Sequence, residues 1–120
     1  MKVIIAGGRD FVDYATLCLF CDKALSGVEN IEIVSGTARG ADKLGEKYAR
    51  ENEYNLSFFP ADWEKYGKSA GYKRNRAMAQ YADILIAFWD GESKGTRHMI
   101  DLAYEEKLTV VVCRYNYPQQ

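Results

Sequence analysis

The chain has 120 residues, 48% of them hydrophobic, and a formal net charge of −1. That length bounds one domain with room for a buried core, and the near-neutral charge excludes a surface that is basic overall, so any affinity for nucleic acid has to be local. No apolar run approaches the roughly 20 residues that span a bilayer, and the N-terminal apolar segment is too short for a signal peptide, so no membrane partner is expected and the expected location is the cytoplasm.

Lys2 to Ala6, KVIIA, is a continuous apolar run of the kind found in central strands. It breaks at Gly7-Gly8-Arg9-Asp10. Paired glycines let a ligand come close to the backbone, and Arg9 can clamp an anion. The alternative is a surface arginine paired with Asp10 or Asp13. This turn is neither a G-x-G-x-x-G fingerprint nor a Walker A loop, which argues against hydride transfer and against an ordinary ATPase. Asp13 is placed to cap a helix reaching about Ser26, with Gly27 and Asn30 ending it. Leu17, Cys18, Cys21, Ala24 and Leu25 form one apolar stripe on that helix, so Cys18-x-x-Cys21 reads as core packing. The single histidine, His98, and the lack of a second C-x-x-C leave zinc without ligands; neither a metal nor a cofactor is expected.

Ile31, Ile33 and Val34 mark a second strand that turns abruptly at Ser35-Gly36-Thr37-Ala38-Arg39-Gly40-Ala41-Asp42 into a helix from about Arg39 to Asn52. The start of that helix carries unpaired amides. Ser35, Thr37 and Arg39 add hydroxyls and a guanidinium, while Gly36 and Gly40 clear space, so the turn can seat a phosphate or carboxylate. A plain strand-to-helix connection is the alternative. Ala41, Leu44, Gly45, Tyr48 and Ala49 face inward on the helix, with Glu46 and Arg50 paired across one turn.

Asn55 to Phe59 is a third strand, stopped by Pro60, and 61–71 is an aromatic, glycine-containing loop. The next helix, Tyr72 to Tyr81, turns Asn75, Met78, Ala79 and Ala82 inward. Lys73, Arg74 and Arg76 crowd its start, an end the helix dipole makes unfavourable for cations unless an anion is present. With Lys65, Lys68, Tyr66 and Tyr72 they form a basic, aromatic patch suited to a nucleotide or to single-stranded nucleic acid, Arg74 and Asn75 above all. The fourth strand, Ala82 to Phe88, leads into Trp89-Asp90-Gly91-Glu92-Ser93-Lys94-Gly95-Thr96. There Asp90 can accept from a ribose hydroxyl or base amine, and Trp89 can stack on a base or simply cover the core edge. Gly95 and Thr96 open another helix N-terminus, with Ser93 or Thr96 as cap. That helix, to about Glu106, turns Ile100, Ala103 and Tyr104 inward. Leu108 to Cys113 is the last strand, and 116–120 is a frayed tail behind a domain of 1–115.

Five alternations of strand and helix predict an α/β fold: a single-domain, Rossmann-like, doubly wound sheet of about five parallel strands with helices on both faces. Its ligands belong beyond the carboxyl ends of the strands.

Gly7-Gly8-Arg9-Asp10-Phe11, Ser35-Gly36-x-Ala38-x-Gly40-Ala41-Asp42, Arg74-Asn75-x-x-Met78 and Gly95-Thr96 together resemble the YspA/YpsA-related branch of the SLOG superfamily over nearly the whole chain. The superfamily also holds the LOG phosphoribohydrolases and the DNA-processing protein A fold. The resemblance implies a pocket for a nucleotide or nucleotide-derived small molecule, self-association, and a link to bacterial or phage defence. LOG enzymes resemble the chain around Arg74, Met78 and Asp83, then carry Pro-Gly-Gly-x-Gly-Thr-x-x-Glu. Here Met99 takes the glutamate position and Trp89-Asp90-Gly91 replaces the Pro-Gly-Gly. A thioether cannot stabilise a ribosyl cation as a carboxylate can.

Three readings follow. The leading one is binding of a nucleotide, for sensing or sequestering, without catalysis. The alternative is a phosphoribohydrolase with Arg74 as its one named catalytic residue. A single-stranded nucleic-acid binder comes third.

Overall fold

The computed structural model describes residues 1–116. The five strands are β1 (Lys2–Gly7), β2 (Glu32–Ser35), β3 (Asn55–Phe58), β4 (Ile84–Trp89) and β5 (Thr109–Arg114). They form one parallel sheet in the order β3-β2-β1-β4-β5. The apolar run read as a central strand, KVIIA, lies inside the sheet next to ILIAF of the fourth strand, with Ile5 beside Ile86 and Ala6 beside Ala87. Strands covered on both faces have no polar side to alternate with, so they read as unbroken apolar text.

The helices are α1 (Tyr14–Ala24), α2 (Ala41–Glu51), α3 (Trp63–Tyr66), α4 (Ala70–Tyr81) and α5 (Lys94–Glu105). Alternate strand residues feed two cores. Val3, Ile5, Ile33, Ile86 and Phe88 pack with Leu17, Cys21 and Leu25 of the α1 segment and with Ala41, Tyr48 and Ala49 of α2. Ile4, Ala6, Val34, Leu85 and Ala87 pack on the other face with Met78 and Ala79 of α4 and with Met99, Ile100, Leu102 and Ala103 of α5. Asp13 caps α1 as expected, accepting from the Thr16 amide at 3.1 Å and the Thr16 hydroxyl at 2.6 Å. Cys21 and Cys113 are buried and Cys18 is half-buried, all as free thiols.

Two expectations need correcting. The 61–71 segment is not a loop: α3 is followed by a 3-10 turn over Gly67–Ser69 that runs straight into α4, which therefore begins at Ala70 rather than Tyr72. Tyr104 does not face inward and is 61% exposed. Thr96, Met99, Ile100 and Ala103 fill the buried stripe, leaving Tyr104 at its edge. Glu46 pairs with Arg50 at 3.8 Å as expected, and its carboxylate is buried. The residues expected to fray, 116–120, lie outside the described residues apart from Asn116. Among the described residues, no helix is long and apolar enough to cross a membrane.

Candidate functional site

Between β1 and β4 the strand order reverses. One connection leaves toward β2 and β3 and the other toward β5, so the two turns part and leave a crevice at the carboxyl ends. A cleft of about 400 Å³ lies there, within the size range of small-molecule sites. Gly7, Gly8 and Arg9 supply its β1 side, Asp42 the α2 side, Arg74 and Asn75 the α4 side, and Asp90, Gly95 and Thr96 the side following β4. Four segments far apart in sequence thus meet at one hollow.

Arg74 is the centre of its polar wiring. Its Nη1 donates to the Gly36 carbonyl and its Nε donates to Asn75 Oδ1 at 3.0 Å. Asn75 Nδ2 then donates to the Gly95 carbonyl at 3.5 Å and lies 3.4 Å from His98 Nδ1. The end of β2, α4 and the start of α5 are tied together through two consecutive side chains. Burial lowers the Arg74 pKa, nearby Asp42 opposes that, and Arg9 adds to it. An arginine stays protonated through such shifts, so the cleft keeps a fixed cation. Burial also lowers the pKa of His98, which sits edge-on to Tyr72 at 4.5 Å. This histidine orients Asn75 rather than facing the cleft.

Asp42 is 6% exposed, and its Oδ2 accepts from the Ala38 amide at 3.1 Å. Burial pushes its carboxyl up to about 6, against the pull of that amide and of Arg74. A β-carbon on Gly36 would stand 2.9 Å from both Arg74 Nη1 and Asp42 Oδ2, so only glycine lets the two groups flank this turn. Gly40 has φ +75°, and a β-carbon there would stand 2.2 Å from the Gly8 carbonyl oxygen. That carbonyl accepts from the amides of Phe11 and Ala41, which staples the β1 turn to the start of α2. Ser93 caps α5, its Oγ accepting from the Thr96 amide at 3.4 Å. Asp90 Oδ1 accepts from the amides of Glu92 and Ser93 at 2.8 Å each, holding the turn before α5 and keeping its carboxyl below the usual range.

Not every residue singled out from sequence reaches this cleft. Gly36, Thr37 and Arg39 line an adjoining hollow that shares Arg9 and Arg74 with it. Thr37 holds φ +68° there, an uncommon conformation for a β-branched residue, fixed by its amide donating to Ser35 Oγ at 3.0 Å. Ser35 lines neither hollow, because its hydroxyl donates to Glu46 at 2.6 Å beneath α2. Gly40 is structural, for the reason just given. Trp89 turns away from both hollows: its Nε1 donates to the Ser93 carbonyl at 3.1 Å and its ring lies under Arg114. Met99, at the position expected to lack a carboxylate, lies on the wall of the cleft. Sequence reasoning missed Asp10, whose carboxylate accepts from Tyr115 at 2.6 Å, and Trp63, on the adjoining hollow. Adjacency to Arg9 was a signal for the first; the second stood among several aromatics with nothing to distinguish it. Among the described residues, no three His, Cys, Asp or Glu side chains gather to hold a metal ion.

Residues 1–66 match the family model described as YspA, cpYpsA-related SLOG family. The chain is 34% identical over 117 residues to Gene 61 protein of Mycobacterium phage D29, across 92% of this chain and 94% of that protein. In fold it is similar to DNA processing protein A from Streptococcus pneumoniae, with a TM-score of 0.69 and 22% identity over 92% of this chain and 49% of that one. It is also similar to DNA processing protein A from Helicobacter pylori, a protein described as binding single-stranded DNA. There the TM-score is 0.64 and the identity 22%, over all of this chain and 66% of that one. The chain thus spans about half the length of the streptococcal protein.

Proposed function

The chain belongs to the YspA, cpYpsA-related SLOG family, and from that footing we propose that it binds a nucleotide or nucleotide-derived small molecule, for sensing or sequestering, at the reversal of strand order. The observation that carries the reading is Arg74: a half-buried guanidinium anchored on the Gly36 carbonyl and Asn75, at the edge of a cleft that Arg9 also lines. Two cations at one hollow repel each other and gain when an anion sits between them. Asn75, Thr96 and Asp90 around them supply groups for hydroxyls and base edges. Met99 takes the wall position where a phosphoribohydrolase would carry its glutamate, which favours binding over cleavage.

The test is mass spectrometry of small molecules carried through purification, followed by calorimetric titration of AMP. A nucleotide should co-purify or AMP should bind, and Arg74→Ala should lower affinity at least about tenfold, the effect of losing a charge-assisted contact. Arg74→Lys, which keeps the charge and loses the fork, should fall between the two. Unchanged affinity in a folded Arg74→Ala protein would refute this assignment.

A second reading is favoured by the strip over α3 and α4. Tyr66 and Tyr72 are 39% and 48% exposed, and Lys65 and Lys73 both lie over the Tyr66 ring. Exposed rings among lysines suit single-stranded nucleic acid, and such binding should weaken steeply with added salt.

A further inference from the structure

The cleft does not end at Arg74. A second hollow of about 410 Å³ opens on the far side of the Arg9 and Arg74 side chains, and the two hollows share Arg9, Ala38 and Arg74. Those shared residues are a divide with charge on it. Among the described residues, none of Arg9, Arg39 and Arg74 has a carboxylate oxygen within 4.0 Å.

The two sides of the divide differ in chemistry. The first hollow is rich in acceptors: Asp10, Asp42, Asp90 and Asn75 line it. The second carries one large flat ring, Trp63, together with Arg39 and Pro60. Trp63 is 51% exposed, yet it is not a stray surface residue. A ring carbon of its indole lies 3.4 Å from where a β-carbon on Gly71 would stand, and Arg74 Nη2 lies 3.8 Å from the same point. The indole and the guanidinium therefore both border Gly71 and line the same hollow, with much of the indole surface uncovered. An exposed indole in a hollow that arginines line is apolar surface that a stacked base would remove from water.

We propose that the two hollows are one site for a phosphate-bridged, two-armed nucleotide, with the bridging phosphates at Arg9 and Arg74 and one base stacked on Trp63. The inference rests on the nucleotide reading above and adds to it a ligand class and a contact residue. A mononucleotide fills one side of the divide; a dinucleoside diphosphate fills both and sets its charge at Arg9 and Arg74, the guanidinium groups that the two hollows share.

The test compares calorimetric titrations of AMP and of diadenosine 5′,5′-diphosphate against the parent protein, Trp63→Ala and Trp63→Phe, with thermal melts showing that each variant folds. The two-armed probe should bind at least about tenfold tighter than AMP. Trp63→Ala should weaken the two-armed probe by about fivefold or more, and Trp63→Phe, which keeps a flat ring, should retain most of the affinity. AMP binding with no gain from the second arm overturns this inference alone. So does a folded Trp63→Ala protein with parent affinity, or equal losses in the two variants. Failure of both small probes overturns it together with the reading beneath it. If only an oligothymidylate of about 20 nucleotides binds, and does so through Trp63, the site is one for a polymer and the proposal is wrong.

Discussion

Asp42 carries the clearest consequence at the scale of one residue. Its carboxyl titrates near 6 when buried in the folded chain, against the ordinary 3.8 when the chain is unfolded. Between those values the folded protein holds a proton that the unfolded one lacks. The stability this confers is complete below about pH 4 and lost as pH rises through 6, by roughly 2–3 kcal/mol. Asp42→Asn keeps an oxygen for the Ala38 amide and cannot ionise. It should be more stable than the parent to urea at pH 8, with the gap closing by pH 4; a gap that does not change with pH would contradict the burial argument. None of this was legible in the sequence, where Asp42 is one acidic residue at a helix start. The same blindness affected Ser35, whose hydroxyl is consumed by Glu46, because a glutamate one turn before an arginine reads as surface until its burial is seen.

At the scale of elements, the strands were legible because burial on both sides leaves runs such as Ile84 to Phe88 without polar interruption. The α1 and α2 stripes were legible for the matching reason, a period of three to four residues. α3 was not. One turn, Trp63–Tyr66, buries none of its residues and so writes no period into the sequence. The glycines were legible as breaks, but their jobs were not: Gly40 serves backbone packing, while Gly36 makes room for two charged side chains. Gly40→Ala should therefore cost more than about 2 kcal/mol in denaturant titration, from an unfavourable φ and a clash with the Gly8 carbonyl. A loss under half of that would mean the staple between the β1 turn and α2 can relax. Ser93→Ala, by contrast, removes only a cap and should cost about 1 kcal/mol.

At the scale of the whole molecule, the order β3-β2-β1-β4-β5 places three interior strands, β2, β1 and β4, between the two edge strands β3 and β5. Residues of β1 and β4 are nearly all buried, whereas β3 and β5 each carry exposed positions. Amide hydrogen exchange should thus be slowest in β1 and β4 and faster in β3 and β5. Edge amides as protected as those of Ile5 would instead point to an edge covered in solution. The alternation of elements was enough to foresee a sheet with a crevice, but not which turns would border it, since strand order is set by how five segments choose neighbours. The 3-10 turn has a practical side. Gly67 has open space around it, and neither that turn nor α3 contributes a buried residue, while the Gly8 carbonyl staple lies elsewhere. Foreign sequence spliced in at Gly67 should leave the sheet intact, which makes that position the natural attachment point for a reporter domain that responds to whatever occupies the neighbouring indole.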